Sequence, residues 1–591
     1  MATDLLEPEL LYKRELKEKH HQSVVDFFSE LVAKSGVNKD ENKALCEKIY
    51  ARKADASKLS QRLGKINSVK VIGILSIVFG AIIGLIGGVL FTVPAILAAI
   101  ICIVIGIAMI VGGILLIVKV YRKRAKNYQA LLDDANKEVE AMIAEAYKQM
   151  VPLNALFDEE MPAQLMEKTT PLIKMDRLLD NKKLDFLVNH YGYNYRDKEN
   201  CSVVGLQSGT ILGNPFVFFK EREMMMSQHT YTGTLFISWT TVVPTKDGMR
   251  TVRHTQTLVA NVTKPKPVYS LDTYLMYAND AAPNLTFSRR PSNIRDFDEK
   301  GLEKYVRKHE SDLSKMAEKE MEKGGTYTPL GNPEFELFFG GLNRNNEVEY
   351  RLLFTPLAQK SMLQLMKSDV GYGDDFTLVK QHKINFLTSR HSQGALFVDV
   401  SIFYDFDFEK IEERFIEFND EYFKSVYFDL APLLCIPLYQ QHKAQEYIYK
   451  GTIPSNYSDI EHEVISNRFD VREFCDPETD TEVILKTDFI SARGEIDAVK
   501  VRAKSFKAIK RLEIVPTLGG DGRMHGVPVT WFEYIPLEKE TIIDVAHIGG
   551  DRIKFNQLGN NNVIYNRGLI SYNQDKPLNI SINELKSQMA K

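Results

Sequence analysis

The chain has 591 residues, with 75 Lys and Arg against 78 Asp and Glu for a formal net charge of −3. That balance excludes a global nucleic-acid-binding character, which needs a marked excess of cations, while the length allows several domains. Five scattered cysteines (Cys46, Cys102, Cys201, Cys435, Cys475) contain no close pair, which excludes a zinc ribbon or a disulfide framework and suits a reducing compartment.

Residues 1–67 read as a helical cytoplasmic segment. The start, MATDLLEPELLYKRELKEKHHQ, is charged throughout and lacks the apolar core of a cleavable signal. Leu45, Ile49, Leu59, Leu63 and Ile66 follow at helical spacing. From Val71 to Val118 no residue is charged, and Lys70 and Lys119 bound the block. One bilayer span needs about 20 apolar residues. The block is twice that, and Pro94 interrupts it where a continuous helix would break. The segment 68–120 is therefore expected to form a transmembrane helical hairpin, with spans at about 71–91 and 95–118.

Gly80, Gly84 and Gly88 make one small-residue stripe, and Ala98, Cys102 and Gly106 make another. Such stripes let membrane helices approach closely, either within the hairpin or between two copies in a homo-oligomer. Arg62, Lys65 and Lys70 precede the block, and Lys119, Arg122, Lys123, Arg124 and Lys126 follow it. Cations flanking both ends place both termini in the cytoplasm. The absence of ionisable groups inside the block argues against an ion pathway.

Residues 121–150 carry Tyr128, Leu131, Ala135, Val139, Met142, Ala146 and Met150 on one narrow seam, predicting a juxtamembrane helix that pairs with the preceding one as a short stalk. Residues 151–295 read as a strand-rich domain containing VVGLQSGTILG, NPFVFFKE, GTLFISWTTVVP and TVRHTQTLVANV, with KPKP at 264–267 closing it. Met224, Met225 and Met226 are taken as core. The Lys- and Glu-rich run 296–325 predicts a solvated helix ending at Gly324-Gly325. Residues 326–449 form an α+β domain in which EFELFFGGLNRNNEVEYRLLF reads strand, turn, strand. Helices are expected from Pro356, capped by Thr355, and from Phe408 to Val426. Residues 450–591 read as a strand-rich extension with turns at Gly519-Gly520-Asp521-Gly522 and Gly549-Gly550-Asp551. The fold class is α+β, rich in antiparallel strands.

The early two-span hairpin, VVGLQSGTILGNPFVFFKERE followed by GTLFISW, EFELFF…NEVEYRLLFTP and FVDVSIFYDFDFEK occur in an order that resembles a bacterial family of two-span membrane proteins, domain of unknown function 3137. The resemblance covers roughly 60–430 and implies a bacterial inner-membrane location. It implies no catalytic residue, metal or cofactor.

The residues carry no catalytic motif, and catalytic, metal and cofactor sites are all expected to be none. His20-His21 reads as a solvated pair, and His382 and His391 lack acidic or thiol neighbours for a metal. Asp405 and Asp407, with Asp399 nearby, are expected to be polar-face residues and the cap of the following helix. GGDGRMHG at 519–526 lacks the Lys-Ser/Thr of a phosphate-binding loop and reads as a hairpin turn. In AVKVRAKSFKAIKRLEI, strand alternation aligns Lys500, Arg502 and Lys504 on one face, either solvated or contacting an anionic partner. The expected function is a membrane-anchored binding or scaffold protein whose partners are the lipid bilayer and an unidentified protein. The alternatives are an effector whose hairpins assemble into a pore, and a membrane-surface enzyme acting on lipid.

Overall fold

A computed structural model describes residues 6–90, 96–194, 198–245, 248–368, 371–393, 399–443, 454–547 and 563–576. The fold is α+β with two antiparallel sheets. It divides into two compact units, one comprising Phe27–Phe157 with Val400–Ile416 and the other the rest of the chain. The turn at 549–551 lies outside the described residues.

The smaller unit is built on a helix running unbroken from Lys39 to Leu90, followed by helices Ile96–Leu115 and Lys123–Asn154. Lys39–Leu90 and Lys123–Asn154 pair antiparallel, as the seam predicts: Cys46, Ile49 and Ala146 are buried together, and Arg52 meets Glu138 at 2.7 Å. The segment 405–408 clasps this pair. Asn42 Nδ2 donates to the Phe406 carbonyl (2.9 Å), and Asn154 Nδ2 donates to the Asp405 carbonyl (3.1 Å). The two longest apolar stretches, within Lys39–Gly88 and Ile100–Val118, are long and apolar enough to cross a membrane.

The larger unit contains both sheets. The first has β1 (Ile173–Met175), β2 (Cys201–Ile211), β3 (Asn214–Thr245), β4 (Gly248–Ala278), β5 (Thr286–Arg289), β6 (Thr377–Gln381) and β7 (Ile384–Thr388), in the order β1-β2-β3-β4-β7-β6-β5. The second has β8 (Ile484–Arg493), β9 (Ile496–Leu518), β10 (Met524–His547), β11 (Val563–Asn566) and β12 (Leu569–Asn573), in the order β11-β12-β10-β9-β8. Leu212 and Gly213, both at positive φ, close the β2–β3 hairpin in two residues.

β3 and β4 are far longer than ordinary strands of 3–10 residues. At ~3.4 Å per residue, the 32 residues of β3 span about 100 Å. β2 pairs with β3 only as far as Glu223, and β7 meets β4 only at 275–278. Beyond those points β3–β4 is a two-stranded ribbon. The β9–β10 hairpin does the same beyond Lys504 and Ile542, where β8 and β12 end. KPKP therefore does not close the first domain; Pro265 and Pro267 lie inside β4, opposite Gln228 and Met226. Among the described residues β4 has no neighbour on its outer side there, so the missing N–H groups leave no ladder bond unmade.

The segment 333–353 also departs from its reading. It forms helices Pro333–Phe339 and Glu347–Leu353, not two strands. Asn332 and Asn346 cap them by accepting from the third amide of each, which is stronger local chemistry than the short apolar runs offer to a strand. Their buried rings, Phe335, Phe338, Phe339, Tyr350 and Phe354, join the main core with Tyr422, Phe423 and Tyr427. The helix Glu299–Glu322 stops before Gly324-Gly325 as expected, the helix from Pro356 starts as expected and runs to Lys367, and the helix from Phe408 continues to Leu434.

Candidate functional site: a two-ribbon arm above a charged cleft

The glycine stripes divide into packed and open positions. A Cβ on Gly80 would lie 2.8 Å from the Gly106 carbonyl oxygen, and one on Gly106 would lie 2.6 Å from that of Gly80. Gly73 and Gly113 make a second close approach that the stripe reading overlooks, and Ser76 Oγ donates to the Met109 carbonyl (2.9 Å) between the two crossings. The Gly84 backbone lies against Gly106, but a Cβ on Gly84 or Gly88 would meet nothing within 4 Å among the described residues, and with Leu85, Ile103 and Ile107 these glycines line an open apolar groove. Cys102 is a half-buried free thiol, and the side chain of Ala98 lies outside the described residues.

Lys500, Arg502 and Lys504 do align on one face of β9, and each already holds a carboxylate. Lys500 pairs with Glu540 (3.1 Å), Arg502 with Asp488 (2.8 Å), and Lys504 with Glu199 (2.5 Å). Arg502 and Lys504 each line one of two adjoining cavities between the sheets, of about 430 and 410 Å³, and Glu199 lines both. In the first cavity Glu463 projects from helix Asp459–Ser466 to Lys486 at 2.8 Å and accepts from the Val203 amide. Burial pushes its carboxyl up to about 7 against the opposing pull of Lys486. Glu221, on β3, accepts from Lys198 (2.8 Å) and from Tyr274 Oη (2.8 Å). Burial, followed by the neighbouring Glu221, pushes the Cys201 thiol far up, so it stays protonated and poorly nucleophilic. The cleft is an ion-pair network that neutralises itself and ties β2, β3, β8 and β9 together.

Above this cleft the two ribbons pack face to face as an arm. Ile237, Leu258, Ala260, Val262, Val527 and Val529 form its own small core. Lys264 pairs with Glu513 (2.9 Å) and lies over the Trp531 ring at 4.6 Å. The Gly520 amide donates to Gln256 Oε1 (2.7 Å), which fixes the GGDG turn against β4. Gly522 at φ 76° and the Gly519 amide bond to the Arg523 carbonyl (2.8 Å) make that turn, as the sequence predicts.

The outer face of the β9–β10 ribbon, opposite the arm's core, carries Leu512, Ile514, Leu518 and Met524 at 62–65% exposure. Contiguous apolar surface beyond a few hundred Å² marks an interaction surface. Periodicity did not reveal this face, because both sides of the ribbon are apolar and no alternation signals which one is buried. Met225 and Met226, expected in the core, are also exposed, and Met224 lines the second cavity. They lie where β3 leaves the sheet and has a neighbour on one side only.

The remaining singled-out residues have structural partners. Asp407 accepts from the Glu409 amide (3.1 Å) as a helix cap and from Tyr50 Oη, while Asp405 pairs with Arg414 at 3.0 Å. His382 occupies the β6–β7 turn at positive φ, and His391 is buried against Phe428. His20 is buried rather than solvated, bonded to Thr169 (2.8 Å) and to the Asn419 carbonyl (3.1 Å); His21 pairs with Asp420. Among the described residues no three His, Cys, Asp or Glu side chains stand close enough to hold a metal ion. Compared with known proteins, the chain matches no family model, no curated protein and no solved structure.

Proposed function

We propose that this chain is a membrane-anchored binding or scaffold protein, with the helix pair as its anchor and the two-ribbon arm as its binding element. The observation that carries this reading is the exposed apolar outer face of β9–β10, on an arm whose inner faces are consumed in holding it together. The anchor is supported by apolar side chains that point outward around the helix pair, Leu85, Ile107 and Val104 among them. The basic flanks favour cytoplasmic termini. The resemblance over roughly 60–430 favours a bacterial inner membrane.

The test compares the full chain with a variant carrying Leu512→Ser, Ile514→Ser and Leu518→Ser. Both are extracted from membranes with carbonate and then purified in mild detergent for partner identification. The reading requires carbonate resistance in both and a discrete, stoichiometric partner in the parent alone. Identical partners in the two preparations sink the arm's role, and carbonate release sinks the anchor. A second reading, self-assembly of the helix pairs into a pore, is favoured by the open groove at Gly84 and Gly88. It requires a homo-oligomeric ring in mass photometry that Gly84→Leu disperses.

A further inference from the structure

The outer face of the arm has a chemistry that narrows what it meets. Its four protruding side chains are aliphatic, with Pro516 and Pro528 between them and Phe532 at the inner end. Strand addition at the edges of β4, β9 and β10 is disfavoured. Pro516 and Pro528 lie opposite Gly526 and Ile514, two residues apart in register, so both occupy the class of site whose N–H points away from the partner strand. Pro265 and Pro267 on β4 share one such class as well. Prolines at these sites remove the outward donors that an added strand would use. That favours contact through the face.

The charge left over on the arm is mostly basic. In 505–537 two of the three carboxylates are held by permanent cations, Glu513 by Lys264 (2.9 Å) and Glu533 by Arg511 (2.7 Å), and Asp521 is hydrogen-bonded to His525 (3.0 Å). Lys510, beside Leu512 on the same face, and Arg523, in the turn, have no carboxylate partner among the described residues. The tip of the β3–β4 ribbon extends past that turn. On the side turned toward β9–β10 it adds the exposed Val243 and Arg250, and Arg250 likewise has no carboxylate partner among the described residues.

We infer that this face docks on an anionic lipid surface, with the aliphatic side chains entering the boundary between headgroups and acyl chains and the free cations meeting the headgroup charge. The inference rests on the reading of the arm as the binding element. A lipid surface fits better than an acidic protein because protein interfaces are enriched in aromatic residues and carry about one hydrogen bond per 100–200 Å². The strip offers almost none of the latter and presents aliphatic side chains of similar reach, suited to a fluid apolar phase.

The test uses the full-length chain in nanodiscs of phosphatidylcholine, mixed with vesicles of phosphatidylcholine alone or containing phosphatidylglycerol, and scored by co-flotation. Two variants accompany it: L512S/I514S/L518S/M524S and K510E/R523E. Hydrogen exchange over 505–537 verifies that the ribbon stays formed. The expected result is flotation with the anionic vesicles only, reduced roughly tenfold or more in each variant and weakened by salt. Equal flotation of parent and variants overturns the inference, as does equal flotation with neutral vesicles. A doubling of particle mass without vesicles that requires the same four side chains assigns the face to a second copy and also overturns it. If partner capture depends on the arm but flotation does not occur, the lipid surface is excluded while the binding-element reading stands.

Discussion

The contact between the two ribbons can be broken at a single glycine. A Cβ on Gly233 would lie 2.2 Å from the Pro528 carbonyl oxygen and 2.9 Å from Val529 Cγ2. Gly233→Ala therefore forces the layers apart by more than an ångström to reach an ordinary contact of 3.4 Å. The arm's core holds five aliphatic side chains larger than Ala260, and burying each contributes about 2 kcal/mol, for a gross ~10 kcal/mol. A radial gap of about 1 Å forfeits a quarter to a half of the dispersion well. The expected cost is thus roughly 3–4 kcal/mol, concentrated where each ribbon has no other neighbour. Two-stranded ribbons are marginal alone, so the loss should appear as local opening rather than global unfolding. Hydrogen exchange read by mass spectrometry should accelerate by about two to three orders of magnitude in 225–268 and 505–537 and stay unchanged in β2 and β8. Exchange in the ribbons within threefold of the parent would refute the argument that packing between their faces holds the arm.

Three further outcomes follow from buried groups and close approaches. Asp429 is fully buried, accepts from the Ser389 and Ser392 hydroxyls, and has no cation partner among the described residues; burial pushes its carboxyl from 3.8 up to about 7. Its contribution is fully present below pH 3.8 and lost as pH rises to about 7. Asp429→Asn should therefore raise stability by ~4 kcal/mol at pH 8 and flatten the pH profile of thermal unfolding, and an unchanged profile would remove Asp429 as its source. His20 runs the other way. Burial lowers it from 6.5 to about 4, so stability present above pH 6.5 is lost as pH falls, by ~3 kcal/mol at pH 4; His20→Asn should blunt that acid loss in the same unfolding assay. In the helix pair, Gly80→Leu should abolish a disulfide between Ser76→Cys and Met109→Cys, whereas Gly84→Leu should leave it intact, as read by gel mobility. Equal crosslinking in both would contradict the 2.8 Å approach.

Local chemistry made much of this fold legible. Thr355 before Pro356, Gly324-Gly325 after a Lys/Glu run, and Gly519-Gly520-Asp521-Gly522 between apolar runs each fix a boundary within a few residues. The helices at 333–353 escaped notice because FELFF and VEYRLL are too short to display a helical period. Their signal was Asn332 and Asn346 before acidic first turns. The alternation of Lys500, Arg502 and Lys504 was readable, but their partners were not. Glu540 and Asp488 reach Lys500 and Arg502 from the flanking strands β10 and β8, and Glu199, the partner of Lys504, lies some three hundred residues away. The length of the arm was hidden by its own prolines, which mark breaks in central strands and are harmless on open edges.

The Lys39–Leu90 helix has a mechanical consequence. At 1.5 Å per residue its 52 residues make a rod of about 78 Å with no proline along it. It is gripped near one end through Asn42 and Cys46, and it touches its apolar neighbour through Gly73 and Gly80 near the other. A rod without a joint cannot absorb a turn about its own axis. Rotation by one residue step, about 100°, would carry both glycines off their contacts and present Ile74 and Ala81, or Ile72 and Phe79, to the neighbouring backbone. The grip by 405–408 and the glycine contacts therefore act as a single phase setting, and a change at one end is read out at the other.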